Sequence, residues 1–130
     1  MRGLTLIEMI IVVIIIGILA TLAVPQYLSV KERALDKEAQ ANLAAIQAAE
    51  KNYRIEKGSY FIGFTAGLNT NLKLMLPATT NRAWNYQVLA TDEARATRRF
   101  GPNNLGRYWS LLLDSSVEPS CVPASADPCR

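Results

Sequence analysis

The chain passes through three regimes of hydrophobic patterning. From Leu4 to Val24 it is apolar almost without interruption, from Lys31 to Lys57 apolar and charged positions alternate in steps of three and four, and from Trp84 to Asp114 apolar residues recur at every second place. The first run, at about 1.5 Å per helical residue, reaches roughly the 30 Å of a hydrocarbon core, so it predicts a helix able to cross a membrane. The second contains neither proline nor glycine and is rich in Ala, Glu, Lys, Leu and Gln, which predicts that the helix continues. Leu35, Ala39, Leu43, Ile46, Ala49 and Tyr53 form one apolar stripe, and Lys31, Lys37, Glu38, Glu50, Lys51 and Arg54 are assigned to the opposite, solvated face. Gly58 is the expected stop, with Lys57 in a last turn where positive charge suits the helix dipole. A continuous helix over this range would be about 80 Å long.

The alternating region predicts strands. Trp84, Tyr86, Val88 and Ala90 share one face; Thr91-Asp92-Glu93 makes a turn; Ala94, Ala96, Arg98 and Phe100 share a face of the next strand. After a connection over residues 101–106, Trp109, Leu111 and Leu113 point one way and Tyr108, Ser110, Leu112 and Asp114 the other. Residues 59–83 read as a connecting loop with a short helical turn around Leu72 to Leu76, ending before Pro77. Strands linked this closely make an antiparallel sheet whose apolar face needs a cover, and the helix stripe supplies it. The expected fold is α+β: a long N-terminal helix packed on a small antiparallel sheet of about three to four strands.

Composition narrows the chemistry. Lys+Arg 14 against Asp+Glu 11 gives a net charge of +3, too mild to imply a nucleic-acid partner by itself. Histidine is absent and there are two cysteines, which excludes histidine-based catalysis and histidine-containing zinc sites. No nucleophile–base pair or phosphate-cradling glycine loop is present, so an enzyme is not expected, and no cofactor or metal is.

One residue breaks the first run. Glu8 is an ionisable side chain in an apolar segment, and a carboxylate at mid-bilayer costs about 2.5–3.5 kcal/mol, less near an end where it can reach the interface. It is preceded by a very short basic leader, Arg2-Gly3, with no small-residue cleavage site beyond the run. Gly3 followed by Leu4-Thr5-Leu6-Ile7-Glu8 and an unbroken apolar helix containing Gly17 and Pro25 resembles the class III signal of type IV pilins and type II secretion pseudopilins. The likeness is strong over about residues 1–60 and extends to the remainder only in general layout. The chain departs from the family's commonest pattern in having Leu4 rather than phenylalanine after the glycine, and a leader of only three residues.

That resemblance implies a mechanism. A membrane prepilin peptidase would cut between Gly3 and Leu4 and methylate the new amine of Leu4; Glu8 would then attract the amine of a neighbouring subunit entering a filament. An ion pair in an apolar medium is favoured because the alternative is an unpaired charge. It also implies an inner-membrane platform protein and an assembly ATPase as partners, a homo-oligomeric helical filament, and passage from the inner membrane to a filament on the cell surface. Pro25 removes a backbone donor and predicts a kink near Thr21; by resemblance, Gly17 to Pro25 is a stretch that loses its helical form inside a filament.

Cys121 and Cys129 close the chain, and in an exported domain an isolated pair most simply makes one disulfide; a redox-active or metal-bound pair has no CxxC spacing behind it. Many pilins have such a C-terminal loop, whereas a calcium loop is usual in the major secretion pseudopilin. The expected organisation is a leader at 1–3, a membrane or filament-core helix at 4–25, and an exported head at 26–130. The head divides into helix 26–58, loop 59–83, sheet 84–114 and disulfide loop 115–130. Three functions follow: major pilin of a type IV pilus serving adhesion, motility or DNA uptake; pseudopilin of a secretion or competence system; or a membrane-anchored DNA-binding protein. The last would use Arg82, Arg95, Arg98, Arg99 and Arg107 interleaved with Trp84, Tyr86, Phe100 and Tyr108, with Arg95 and Arg99 on the phosphates.

Overall fold

The computed structural model describes residues 5–78, 82–99, 106–124 and 129. Two units emerge, residues 1–34 and 35–130. Helix α1 (Leu6–Lys57, 52 residues) supplies the first unit and the start of the second. It is unbroken across Gly17 and Pro25, and the Thr21 hydroxyl donates to the Ile18 carbonyl at 2.7 Å, one turn before the proline. The helix ends where expected. Gly58 has φ 83° and its N–H donates to the Arg54 carbonyl at 2.8 Å, a left-handed cap that glycine adopts without strain.

The second unit is an α+β head. Strands β1 (Gly63–Phe64), β2 (Trp84–Val88), β3 (Glu93–Arg98), β4 (Tyr108–Leu112) and β5 (Ser120–Val122) form one antiparallel sheet in chain order. The three strands expected from alternation are present, with Trp84, Tyr86 and Val88, then Ala94, Ala96 and Arg98, then Trp109 and Leu111 inward as the pattern selects; Ala90, expected inward, is instead exposed in the turn, and Glu93, expected in the turn, begins the next strand. Phe100 and the connection 101–105 lie outside the described residues. The two added strands are too short to show a period and exist through pairing with β2 and β4. In the β2–β3 hairpin, Leu89 N–H donates to the Glu93 carbonyl at 2.9 Å and Asp92 takes φ 55°. Asp tolerates that left-handed conformation better than most side chains.

Two expectations about the helices are corrected. The short helix is α2 (Thr65–Asn71), not a turn at Leu72 to Leu76. Its first side chain is latched to the sheet: Thr65 Oγ1 donates to the Tyr86 carbonyl at 3.1 Å and accepts from Tyr86 N–H at 3.2 Å, while Leu68 is fully buried. Tertiary contacts override the weak helix propensity of this Gly- and Asn-containing segment. On α1 the buried face is Asp36, Ala39, Leu43, Ile46 and Glu50, so Glu50 is inside and not on the solvated face. Leu35 lies at the core's margin, and Ala49 and Tyr53 are half-buried.

Polar groups fasten the head portion of α1 to the sheet. Trp84 Nε1 donates to the Leu35 carbonyl at 2.9 Å, and Asn42 Nδ2 to the Tyr86 hydroxyl at 2.7 Å. Gln47 Nε2 lies 2.9 Å from the carbonyls of both Leu112 and Ser115. Burial, only partly offset by the Asn42 bond, pushes the Tyr86 phenol up to about 12, so it stays protonated. Arg54 reaches Asp114 and Tyr60, whose hydroxyl also donates to Asp114; that hydroxyl, with Arg54 beside it, holds the Asp114 carboxyl below its usual range.

Candidate assembly site

The N-terminal part of α1 is long and apolar enough to cross a membrane, and none of the described residues covers it. Leu6, Ile7, Met9 through Ile16, Ile18, Leu19, Leu22 and Val24 are all exposed large hydrophobics. Soluble proteins rarely leave so extended an apolar surface open, so this one requires lipid or other protein around it.

Glu8 sits in the first turn of that helix. Its backbone N–H donates to Thr5 Oγ1 at 3.3 Å, and its carboxylate Oε2 accepts from the Thr5 N–H at 3.3 Å and the Thr5 hydroxyl at 3.2 Å. This is a reciprocal capping box. It was legible: Thr-x-x-Glu immediately before an apolar run is a helix-start signature. Within one chain the carboxylate therefore has a local use, satisfying orphan donors and facing the positive end of the helix dipole. A negative group anchored at a helix N-terminus is also suitably placed to meet an amine. Gly3 and Leu4, between which cleavage is expected, lie outside the described residues.

The remaining predicted positions are distributed over the head. Cys121 and Cys129 form a disulfide with Cα atoms 6.0 Å apart, tying β5 to the end of the chain. Arg95 is held by Glu93 at 3.1 Å and stacks over the Tyr108 ring at 4.3 Å on the outer face of the sheet. Arg99 follows β3, its N–H donating to the Ala83 carbonyl at 2.9 Å. The expected arginine–aromatic surface is not one surface. Arg98 and Arg107 are 7% and 1% exposed and flank the buried Trp84 ring, at 5.5 and 5.6 Å from its centroid.

Two carboxylates are buried, Asp36, which the sequence reading left unassigned, and Glu50, which it placed in solvent. Asp36 accepts from Arg107 and from Trp109 Nε1. Glu50, 0% exposed, accepts the Phe61 N–H at 2.8 Å through Oε2 and so holds the start of the loop leading to β1, while its Oε1 has no partner among the described residues. Burial raises the Glu50 pKa, opposed in part by the Phe61 bond.

Comparison with known proteins agrees with this architecture. Residues 1–24 match the family described as prokaryotic N-terminal methylation motif. The chain is 36% identical to the type II secretion system core protein G of Klebsiella pneumoniae, over 97% of this chain and 90% of that one. It is 34% identical to the type IV major fimbrial protein FimA of Dichelobacter nodosus, over 78% of this chain and 72% of that one. It is also 48% identical over 59 residues to the type IV major pilin protein PilA of Myxococcus xanthus, a stretch that spans 27% of that relative. No solved structure shows significant similarity to the chain. The chain belongs to the family of type IV pilins and type II secretion pseudopilins, structural proteins rather than enzymes.

Proposed function

We propose that this chain is the major structural subunit of a type IV pilus, polymerising through its N-terminal helix into a surface filament. The observation that carries the reading is the uncovered apolar half of α1 with one carboxylate, Glu8, at its start. In the membrane lipid covers that surface, and in a filament the helices of neighbouring copies replace the lipid. Cleavage between Gly3 and Leu4 by a prepilin peptidase would expose an amine, and Glu8 of an adjacent copy would pair with it. A platform protein and an assembly ATPase would supply position and energy. Melting of α1 between Gly17 and Pro25 belongs to the filament state in this reading, since neighbouring subunits would have to satisfy the freed backbone groups. The Cys121–Cys129 loop supports a pilin, in keeping with the C-terminal disulfides of that branch.

A second reading, pseudopilin of a secretion system, is supported by the match to core protein G over 97% of this chain. Electron microscopy of filaments sheared from cells, with mass spectrometry of the subunit N-terminus, separates the two. Long filaments of this chain starting at methylated Leu4 support the pilin; a processed chain without surface filaments supports the pseudopilin; an intact Met1 start refutes both. Glu8→Ala is expected to leave insertion and cleavage intact and to lower filament yield. Normal yield from that variant would remove the proposed role of Glu8.

A further inference from the structure

The uncovered half of α1 ends in a short collar whose positive charges are not used within the described residues. From Leu6 to Val30 the helix carries a single formal charge, Glu8. Lys31 and Arg33 follow, both exposed, and neither has a hydrogen bond or ion pair among the described residues. Glu32, half-buried between them, has a partner of its own. One turn before Lys31, Tyr27 is 68% exposed, with Leu28 and Val30 open beside it.

Helical rise sets the depth of these groups. A hydrocarbon core of about 30 Å takes about 20 residues of an upright helix, so with Glu8 at one boundary the other falls near Leu28. Lys31 and Arg33 then lie about 4.5 and 7.5 Å further along the axis, within a headgroup layer about 5–7 Å thick. Both cations are level with lipid phosphates. The Tyr27 ring sits at the boundary, where amphipathic aromatics settle. At about 100° per residue, Lys31 stands over Tyr27 while Arg33 is on the other side of the helix, so the two cations meet different lipids.

Charge selects the lipid. Cleavage after Gly3 would remove Arg2, leaving no lysine or arginine before the span, and Lys31 and Arg33 are the first ones after it. Basic residues ordinarily gather on the cytoplasmic flank of a span. In the orientation of the proposed function these gather on the exported flank. A zwitterionic headgroup brings its own ammonium to its phosphate, so two uncompensated cations are attracted chiefly to anionic lipid.

We infer that the 27–33 collar binds anionic phospholipid of the exported leaflet. Lys31 and the Tyr27 hydroxyl donate to one phosphate, and Arg33 presents its planar fork to another. The inference deepens the proposed function and rests on its orientation of the chain. A subunit leaving the membrane for a filament would thus give up headgroup contacts as well as apolar ones.

The test places the full-length chain in nanodiscs of equal phosphatidylglycerol and phosphatidylcholine and counts, by native mass spectrometry, the lipids that stay bound. Wild type should retain phosphatidylglycerol over phosphatidylcholine by about tenfold, the order expected for two cations at a membrane surface. Lys31→Gln with Arg33→Gln should bring the two lipids to parity, and Lys31→Arg with Arg33→Lys should keep the enrichment. Lys57→Gln removes a charge at the far end of α1 and should change nothing. Parity in wild type, or undiminished enrichment in the glutamine pair, overturns the inference. A matching fall in Lys57→Gln also overturns it, since net charge and not the collar would then select the lipid. So does displacement of bound lipid by added inorganic phosphate with phosphate adducts in its place, the mark of a free-anion site. Enrichment on a chain that makes no surface filaments retains the collar and refutes the pilus reading, whereas filaments from a chain without enrichment refute the collar alone.

Discussion

Arg107 and Asp36 meet inside the head, 71 positions apart in the chain, with Arg107 Nη2 2.7 Å and Nε 3.1 Å from the same carboxylate oxygen, Oδ1. Trp109 Nε1 adds a third donor to that oxygen at 3.3 Å, and the two charged side chains are 1% and 4% exposed. Removing one partner strands a buried charge. Asp36→Ala or Arg107→Ala is expected to cost about 3–5 kcal/mol, while the paired replacement Asp36→Leu with Arg107→Met should recover much of it. Urea unfolding of the detergent-solubilised chain followed by tryptophan fluorescence measures both; a double variant no more stable than the singles would contradict the argument.

Glu50 sets a pH dependence of opposite sign to that of an exposed ion pair. Its folded pKa lies above the unfolded value near 4.5, so the native state holds the proton more tightly. Below that value the carboxyl is neutral in both states and burial carries no ionisation penalty. As pH rises through the window between the unfolded and folded values, stability falls. Glu50→Gln lacks this group, so its melting temperature relative to wild type should climb across that window. A constant difference from pH 4 to pH 8 would show that Glu50 does not titrate in the folded head.

Gly106 lies where the chain enters β4 against the end of β3. A Cβ placed there would sit 2.5 Å from Arg98 Cβ and 2.7 Å from the Arg98 carbonyl oxygen, and a backbone atom cannot swing aside. Gly106→Ala should therefore destabilise the head by about 1–3 kcal/mol through overpacking. Gly17, with nothing within 4 Å, is the control: Gly17→Ala should leave the head's unfolding midpoint unchanged.

The disulfide joins cysteines separated by 8 positions, a short loop. By the chain-entropy argument, Cys121→Ser with Cys129→Ser should cost about 2.5 kcal/mol. Reduction of the wild-type chain with dithiothreitol should lower the thermal midpoint by the same amount as the double variant.

Period two selected the inward residues of β2, β3 and β4, and the Lys57-Gly58 stop was placed correctly because both signals are local. Glu50 was placed on the solvated face, and Asp36 on neither face, for a physical reason. Both fall at helical spacing on the face of Ala39, Leu43 and Ile46, but a charged side chain argues for solvent, and charge outweighed spacing in the assignment of Glu50. Burial prevailed at Asp36 because Arg107 arrives from a distant strand, and at Glu50 because the Phe61 N–H needs an acceptor. Neither partner is visible in the neighbouring sequence. Helix α2 was missed because Leu72 to Leu76 has the stronger helical composition, whereas Thr65 is fixed by hydrogen bonds to β2. At Glu8 the apolar setting drew attention to charge, and the simpler signal, Thr5 three places earlier, passed unread.

The strand order β1-β2-β3-β4-β5 repeats the order of synthesis. Each strand can thus be added to the edge left by its predecessor as the chain lengthens, with no segment held open for a later arrival. The distant partners, Arg107 for Asp36 and Tyr86 for Asn42, close onto a helix completed before any strand. The topology thus permits vectorial folding of the head, in which Asp36 on the helix gains its counter-ion only when β4 is added.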